Sequence, residues 1–289
     1  MEYIGKVFRP PSEARSLIIQ CTIGCSHNKC TFCGMYKEDE FRIRPLEDVL
    51  RDLEEMSRYG QVYRRIFLAD GDALILPMEH LKTLLTKIAE LFPKVERVGI
   101  YASPKSIATK TVEQLKELKE LGLGIAYLGV ESGSDLILEK MKKGVTAEEL
   151  LHQGQKLKDA GIDLSVTLIS GLGGKEHTLE HATESAKFIS TLQPNYLGLL
   201  TLMLEPQTEL YQDIQQGRFE LLTPTEVLEE TRLFVSLVEG KDIVFRSNHA
   251  SNYLSLGGVL DQEKERILKD IDEAMEDIRY LRHESHRRL

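Results

Sequence analysis

Cysteine is nearly absent outside one place. All four cysteines of the 289 residues fall between Cys21 and Cys33. That pattern excludes a disulfide framework spread over the fold, and it points to metal binding or catalysis by the one loop. Positive charge is also short: 37 Lys and Arg face 46 Asp and Glu, for a net charge of −9. A long nucleic-acid track needs a basic face, so nucleic acid is not an expected partner. No apolar run reaches membrane-spanning length, and the opening MEYIGKVFRPPSEAR is too polar for a signal peptide. The expectation is a soluble, cytoplasmic protein with no membrane partner. Internal repeats, low-complexity tracts and Gly/Ser-rich linkers are lacking too. One large domain over residues 1–289 is therefore expected, because α/β barrels of this length do not split and need no disulfide staple.

What is present is an alternation of short apolar runs with helical patterns, the rhythm of repeated β/α units. Strands are predicted at Ser16–Gln20, Arg65–Ala69, Val98–Ala102, Ile125–Val130, Leu164–Ile169 and Tyr196–Leu202. Helical spacing is predicted over Leu46–Tyr59, Met78–Leu91, Thr111–Leu121, Asp135–Met141, Thr146–Ala160, Leu179–Leu192 and Pro224–Val238. A short strand at Asp242–Phe245 and a last helix from Gln262 onward complete the pattern. That helix carries Ile267, Ile271, Met275, Ile278 and Leu281 on one face, and its basic tail HESHRRL is expected in solvent.

The stretch QCTIGCSHNKCTFCGMY, Gln20–Tyr36, follows the first strand directly. Short spacers let Cys25, Cys30 and Cys33 converge on one metal centre. A tetrahedral zinc site using Cys21 as the fourth thiolate is the alternative. The run Thr22-Ile23-Gly24-Cys25, a polar insert, then Cys30-Thr31-Phe32-Cys33 resembles the cluster loop of the radical S-adenosylmethionine (SAM) enzymes. The resemblance implies a 4Fe–4S cluster on Cys25, Cys30 and Cys33, with SAM on the remaining iron and Phe32 beside it. Four residues separate Cys25 from Cys30, where the commonest family pattern has three. Cys21 is left as a small buried hydrophobe.

The family's fold is a partial (β/α)6 TIM-like barrel, an α/β architecture. Here it would span about residues 14–240, with a short N-terminal lead-in and a C-terminal strand/helix extension over 241–289. Sites in such barrels gather at the carboxyl ends of strands. Asp70-Gly71-Asp72 after the second strand lies where relatives often carry a Gly-Gly-Glu turn that meets the SAM amino group; a plain Asp-Gly turn is the alternative. Ser103 follows the third strand beside Pro104, a combination that suits a simple strand-ending turn equally well. Gly129-Val130-Glu131-Ser132-Gly133-Ser134, with Met141-Lys142-Lys143-Gly144, is similar to the methylthiotransferase and Elongator-type branch. That similarity places Glu131 and Ser132 near the SAM ribose and Lys143 near its carboxylate. The alternative reading is a helix N-cap at Ser134 and a solvated helix end at Lys143. The resemblance also implies that Thr167, near the end of the fifth strand, meets the ribose and that the glycine turn beginning at Gly171 holds the adenine.

Polar residues after the last short strand suggest a substrate loop, with His249 as proton donor or acceptor and Tyr253 as a hydrogen-atom or electron relay. Asn248 and Asn252 shaping the turn is the competing account. The family implies reductive cleavage of SAM to a 5′-deoxyadenosyl radical that abstracts hydrogen from a substrate, fed by an electron donor such as flavodoxin or ferredoxin. No auxiliary cysteines, cobalamin-binding domain or RNA-binding module are seen, so a small-molecule substrate is expected. A protein or RNA side chain delivered by a partner is the second expectation, and a non-enzymatic metal scaffold the third.

Overall fold

The computed structural model describes residues 1–288. In chain order its first elements are β1 (Leu17–Gln20), β2 (Thr22–Ile23), β3 (Arg42–Ile43), α1 (Leu46–Met56), β4 (Arg65–Ala69) and α2 (Met78–Leu91). Then come β5 (Arg97–Ala102), α3 (Pro104–Ala108), α4 (Val112–Glu120), β6 (Leu123–Glu131), α5 (Asp135–Lys140), α6 (Ala147–Asp159) and β7 (Asp163–Ser170). The chain continues through α7 (Thr178–Leu192), β8 (Tyr196–Thr201), α8 (Glu209–Gln215), α9 (Pro224–Leu237), β9 (Val244–Ser247), β10 (Leu256–Val259) and α10 (Leu260–Glu276). Two compact units are formed: Met1–Asn28, Met35–Leu128 and His152–Leu164 make one, and Lys29–Gly34, Gly129–Leu151 and the chain from Ser165 onward make the other.

In the first unit β1, β4, β5 and β6 run parallel in that order, with Leu17 opposite Ile66 and Phe67 opposite Gly99. In the second, β7, β8 and β9 are parallel and β10 returns antiparallel. Parallel strands covered on their faces read as near-continuous apolar runs, which is why RIFLA of β4 was visible as a strand. Helix starts follow local chemistry. Thr111 with Gln114 and Thr223 with Glu226 close reciprocal capping boxes at α4 and α9.

Several elements depart from the sequence expectation. The Ser103-Pro104 turn is the N-cap and first residue of helix α3, with Ser103 accepting from the Ser106 amide. The helix foreseen to Tyr59 ends at Met56 and tightens into a 3-10 turn over Ser57–Tyr59. Asp242 lies outside β9 in the left-handed region, and the strand runs on through Arg246 and Ser247. β2, β3, α8 and β10 were not foreseen, being short or glycine-rich. The last helix stops at Glu276, so Leu281 packs instead against Leu222, Val227 and Tyr253. The Ile278 side chain and Leu289 lie outside the described residues. Nor is the basic tail wholly solvated: Arg287 is buried, donating to the carbonyls of Ser251 and Leu202 and to the Tyr253 hydroxyl.

Candidate functional site

In the first unit the chain leaves β1 at Gln20, where Cys21 N–H donates to the Ala69 carbonyl at the end of β4. The short β2–β3 pair, Thr22 opposite Ile43, then fixes the start of the cysteine loop. Cys21 is wholly buried, and burial pushes its thiol up to about 12; it donates to the Ile19 carbonyl at 3.6 Å. Cys25 is half-buried beyond Gly24. Further along, the Asn28 side-chain amide donates to the Tyr36 carbonyl at 2.7 Å, and Lys37 donates to the Asn28 carbonyl at 3.1 Å. The loop is thus tied down by its own polar groups.

Two aspartates after β4 have different fates. Asp72 is full: Ser26 Oγ donates to it at 2.5 Å, Ser103 Oγ at 2.7 Å and the Ser103 amide at 3.1 Å. Ser103 therefore spends its polar atoms on Asp72 and on capping α3. Asp70 is buried too, yet only Oδ1 is satisfied, by the Tyr36 hydroxyl and the Gly71 amide. Its Oδ2 is buried with no hydrogen-bond partner among the described residues. Burial lifts the Asp70 carboxyl to about 6, against the pull of the Tyr36 and Gly71 hydrogen bonds and of the nearby Gln20 side-chain amide. The Gln20 amide's own hydrogen bond goes to the Ile4 carbonyl. Tyr36 is raised as well, by burial and then by Asp70. A buried carboxylate oxygen left bare costs free energy that a cationic donor would recover. Between the two aspartates, a Cβ on Gly71 would stand 2.5 Å from the Gly24 carbonyl oxygen and 2.9 Å from Cys25 Cα. Only glycine lets this turn approach the cysteine loop so closely.

In the second unit, Thr31 binds the segment Cys30-Thr31-Phe32-Cys33 to its surroundings. Its amide donates to the Met141 carbonyl at 3.0 Å, and its carbonyl accepts from the Leu210 amide at 3.0 Å. Phe32 packs on the cluster of Ile137, Met141, Leu172, Leu202 and Leu210. Cys30 and Cys33 are half-buried, and none of the four cysteines is in a disulfide. Glu131 sits in the left-handed region and accepts from Lys143 Nζ at 2.9 Å. Both side chains are largely sequestered, so Lys143 is not a solvated helix end. Ser132 is fully buried, placed between His181 Nδ1 at 2.9 Å and the Ser134 amide at 3.1 Å. The Ser132 hydroxyl is therefore occupied in holding its own turn. The Ser134 N-cap was anticipated and accepts from the Ile137 amide.

Thr167 is half-exposed on β7, and Gly171 follows with φ +82°. The Gly171 amide and the Ser170 hydroxyl both donate to Glu230 Oε1 at 2.7 Å, and Thr178 donates to Oε2 at 2.8 Å. At the end of the unit, His249 Nδ1 meets Ser251 Oγ at 3.0 Å, and burial followed by Arg282 pulls the imidazole down. The Tyr253 hydroxyl donates to Glu284 at 2.7 Å and accepts from Arg287, whose guanidinium lies 4.0 Å over the ring. Burial pushes that phenol up to about 12. Sequence reasoning missed Tyr36, His181 and Glu230, which hold these turns in place. His181 and Glu230 stand on helices dozens of residues from the turns they hold, and no local pattern marks them.

The Radical SAM superfamily model matches residues 19–189, from β1 into α7. The chain belongs to the radical SAM superfamily. It is 25% identical over 240 residues to the heme chaperone HemW of Bacillus subtilis, covering 81% of this chain and 62% of that protein. Identity is 30% over 206 residues to the tRNA-2-methylthio-N6-dimethylallyladenosine synthase of Nitrosomonas europaea, 64% of this chain and 46% of that one. The chain thus spans roughly half the length of the curated relatives it matches. Methylornithine synthase superposes with a TM-score of 0.56 at 16% identity, over 91% of this chain and 81% of that structure. At that identity the likeness shows the fold alone, the TIM-barrel-like α/β fold that the family resemblance implied. The cofactors that go with this superfamily are a 4Fe–4S cluster and SAM.

The residues present fit those cofactors by donor chemistry. Among the described residues no three His, Cys, Asp or Glu side chains already form a metal cage. Three unbridged, half-buried thiols in one loop are nonetheless the soft donors an iron–sulfur cluster takes. The bare Asp70 oxygen is the acceptor an ammonium needs. Among the described residues no helix is long and apolar enough to cross a membrane.

Proposed function

We propose that this radical SAM enzyme acts on a small molecule, with the cluster held by Cys25, Cys30 and Cys33. When bound, the cluster and SAM supply reductive cleavage to a 5′-deoxyadenosyl radical that takes hydrogen from the substrate. The observation that carries the site assignment is the contrast between the two aspartates. Asp72 is saturated, whereas Asp70 keeps one buried oxygen without a donor beside the cysteine loop. Asp70 then accepts from the SAM ammonium, Gly71 lets it approach, and Asp72 with Ser103 keeps the turn rigid.

Glu131, whose Oε1 is taken by Lys143, turns its other oxygen to ribose hydroxyls, and Lys143 balances the methionyl carboxylate. Phe32 seals the loop against water, Ser132 holds its turn through His181, and Thr167 with the Gly171 turn supports the nucleoside. His249, its pKa lowered, is neutral near pH 7; its Nδ1 accepts from the Ser251 amide, which leaves the ring proton on Nε2 to be donated. A relay through Tyr253 would pass its proton to Glu284. The electron comes from a flavodoxin or ferredoxin, and reduced thiols suit the cytoplasm. The tRNA-modifying relative favours a second reading, RNA as substrate, against which the net charge of −9 weighs.

The test is anaerobic: reconstitute, reduce, add SAM and assay 5′-deoxyadenosine. Formation that Cys33→Ala abolishes supports the proposal. Zinc in place of iron, with no product, overturns it.

A further inference from the structure

The strands of the second unit present two unlike faces. Leu168, Ser170 and Leu199 line a small internal cavity together with residues of α7 and α9, including Ala182 and Phe234. That face of β7 and β8 is roofed by helices. Residues of opposite parity, among them Thr167, Tyr196 and Gly198, are half-exposed on the other face. Strand register aligns one row across this open face. Thr167 stands opposite Gly198, Gly198 opposite Arg246, and Arg246 opposite Gly257.

Arg246 is exposed and makes no ion pair or side-chain hydrogen bond among the described residues. Its guanidinium lies 5.5 Å from the centre of the Tyr196 ring, which steadies it without using its donors. Arg218, Arg232, Arg266, Arg279 and Arg287 of the same unit are each paired with a carboxylate. Among the described residues Arg42 on β3, and Arg282 and Arg288 of this unit, also lack a carboxylate partner; Arg246 differs from them in standing between two glycines on the open face.

The glycines on either side need an explanation, because glycine weakens a strand interior. Neither has a positive φ. A Cβ on Gly198 would meet nothing closer than 3.6 Å, and one on Gly257 nothing closer than 3.4 Å, both ordinary contacts. Neither the backbone nor the packing requires glycine at these positions. Two needless glycines flanking one unpaired guanidinium leave an open floor on which a ligand can lie flat.

We propose that this row binds an oxyanion of the substrate, a carboxylate or a phosphoryl group, through the forked donors of Arg246. The proposal rests on the small-molecule reading above. Thr167 and Arg246 stand two strands apart, about 10 Å. The acidic end of the substrate is then held that far along the row from the residue expected to support the nucleoside.

The experiment is phenylglyoxal footprinting of arginines on the full chain, read by peptide mass spectrometry, with Arg15 as an exposed reference. Arg246 should react readily, and either inorganic phosphate or acetate should slow it at least fivefold more than Arg15, with chloride as the ionic-strength control. Protection by phosphate alone identifies a phosphoryl group, and protection by acetate alone a carboxylate. Arg246 slowed no more than Arg15 by both anions overturns the proposal. Gly198→Val should remove the protection while leaving the urea midpoint equal or higher, since valine suits a strand. A destabilised Gly198→Val protein would make that glycine structural and overturn the argument for open space. The wild-type 5′-deoxyadenosine assay separates the two readings. Protection without SAM cleavage leaves the anion site and removes the radical enzyme, whereas cleavage without protection removes only the site.

Discussion

Glu230 is the buried residue on which the glycine turn after β7 depends, and Glu230→Ala should show it. Its carboxylate accepts from Ser170, from the Gly171 amide and from Thr178, all at 2.7–2.8 Å. Hydrogen bonds to a charged acceptor contribute about 1.5–3 kcal/mol each, so three give a gross loss of roughly 4–9 kcal/mol. Removing a buried carboxylate also recovers a desolvation cost of several kcal/mol. The two hydroxyls can rotate to other acceptors, but the Gly171 amide cannot. The net expectation is about 2–4 kcal/mol of lost stability, a sizeable share of the roughly 5–15 kcal/mol typical of a folded protein. Glu230→Gln keeps one carbonyl oxygen for Gly171 and Ser170, and Thr178 can reverse to accept from the new amide, so its loss should stay below about 1.5 kcal/mol. Urea unfolding at constant m-value measures both. S-adenosylhomocysteine titration should show weaker binding for the alanine variant than for glutamine, because the turn meant to support the nucleoside is loosened. An alanine variant within about 0.5 kcal/mol of the glutamine variant would refute the reasoning, since that is the size of a neutral surface change.

Three further outcomes are expected. Brief iodoacetamide treatment of the cluster-free protein at pH 7.5 should alkylate Cys25, Cys30 and Cys33 and spare Cys21, whose thiol sits near 12, and Cys21→Ala should retain cluster and SAM cleavage; mass mapping and iron content check this. Asp70 has its carboxyl raised from 3.8 to about 6, so between those values the folded state holds more proton than the unfolded one, and stability should fall as pH rises through that window. Asp70→Asn should flatten that slope in pH-dependent urea titrations and abolish the weakening of SAM binding expected below pH 6. Lys143→Ala should weaken SAM binding about tenfold, the loss of one charge-assisted contact, while iron content stays intact; equal SAM affinity in the variant would return Lys143 to a purely structural pairing with Glu131.

The parallel strands were legible because burial on both faces writes an apolar run into the sequence, as in RIFLA and SLIIQ. The segments that escaped notice are stabilised from outside themselves. β10 contains two glycines and is a strand because β9 offers it a pairing edge. Arg287 looked like a solvated tail residue, but two carbonyls and the face of Tyr253 draw it inside. Periodicity predicted α10 too long because the apolar spacing continues past Glu276, where the backbone turns extended at Asp277.

Residue type and position relative to a strand end were enough to nominate the site, but not to say which nominees still have polar atoms to offer. Asp70 and Asp72 are chemically identical and two residues apart. Ser26 and Ser103 saturate one, while the other keeps a bare oxygen. Ser132 looked as suited to a ligand as Glu131, yet His181, 49 positions away, claims its hydroxyl. Arg246 is the reverse case, an ordinary basic residue that becomes notable only because register sets it between two glycines. A buried polar group must be satisfied by something, so partners supplied from distant helices decide which side chains hold the scaffold and which are left for a ligand. That partition is a tertiary property. For the same reason, replacing His181 or Glu230 should harm ligand binding although neither is placed against a ligand.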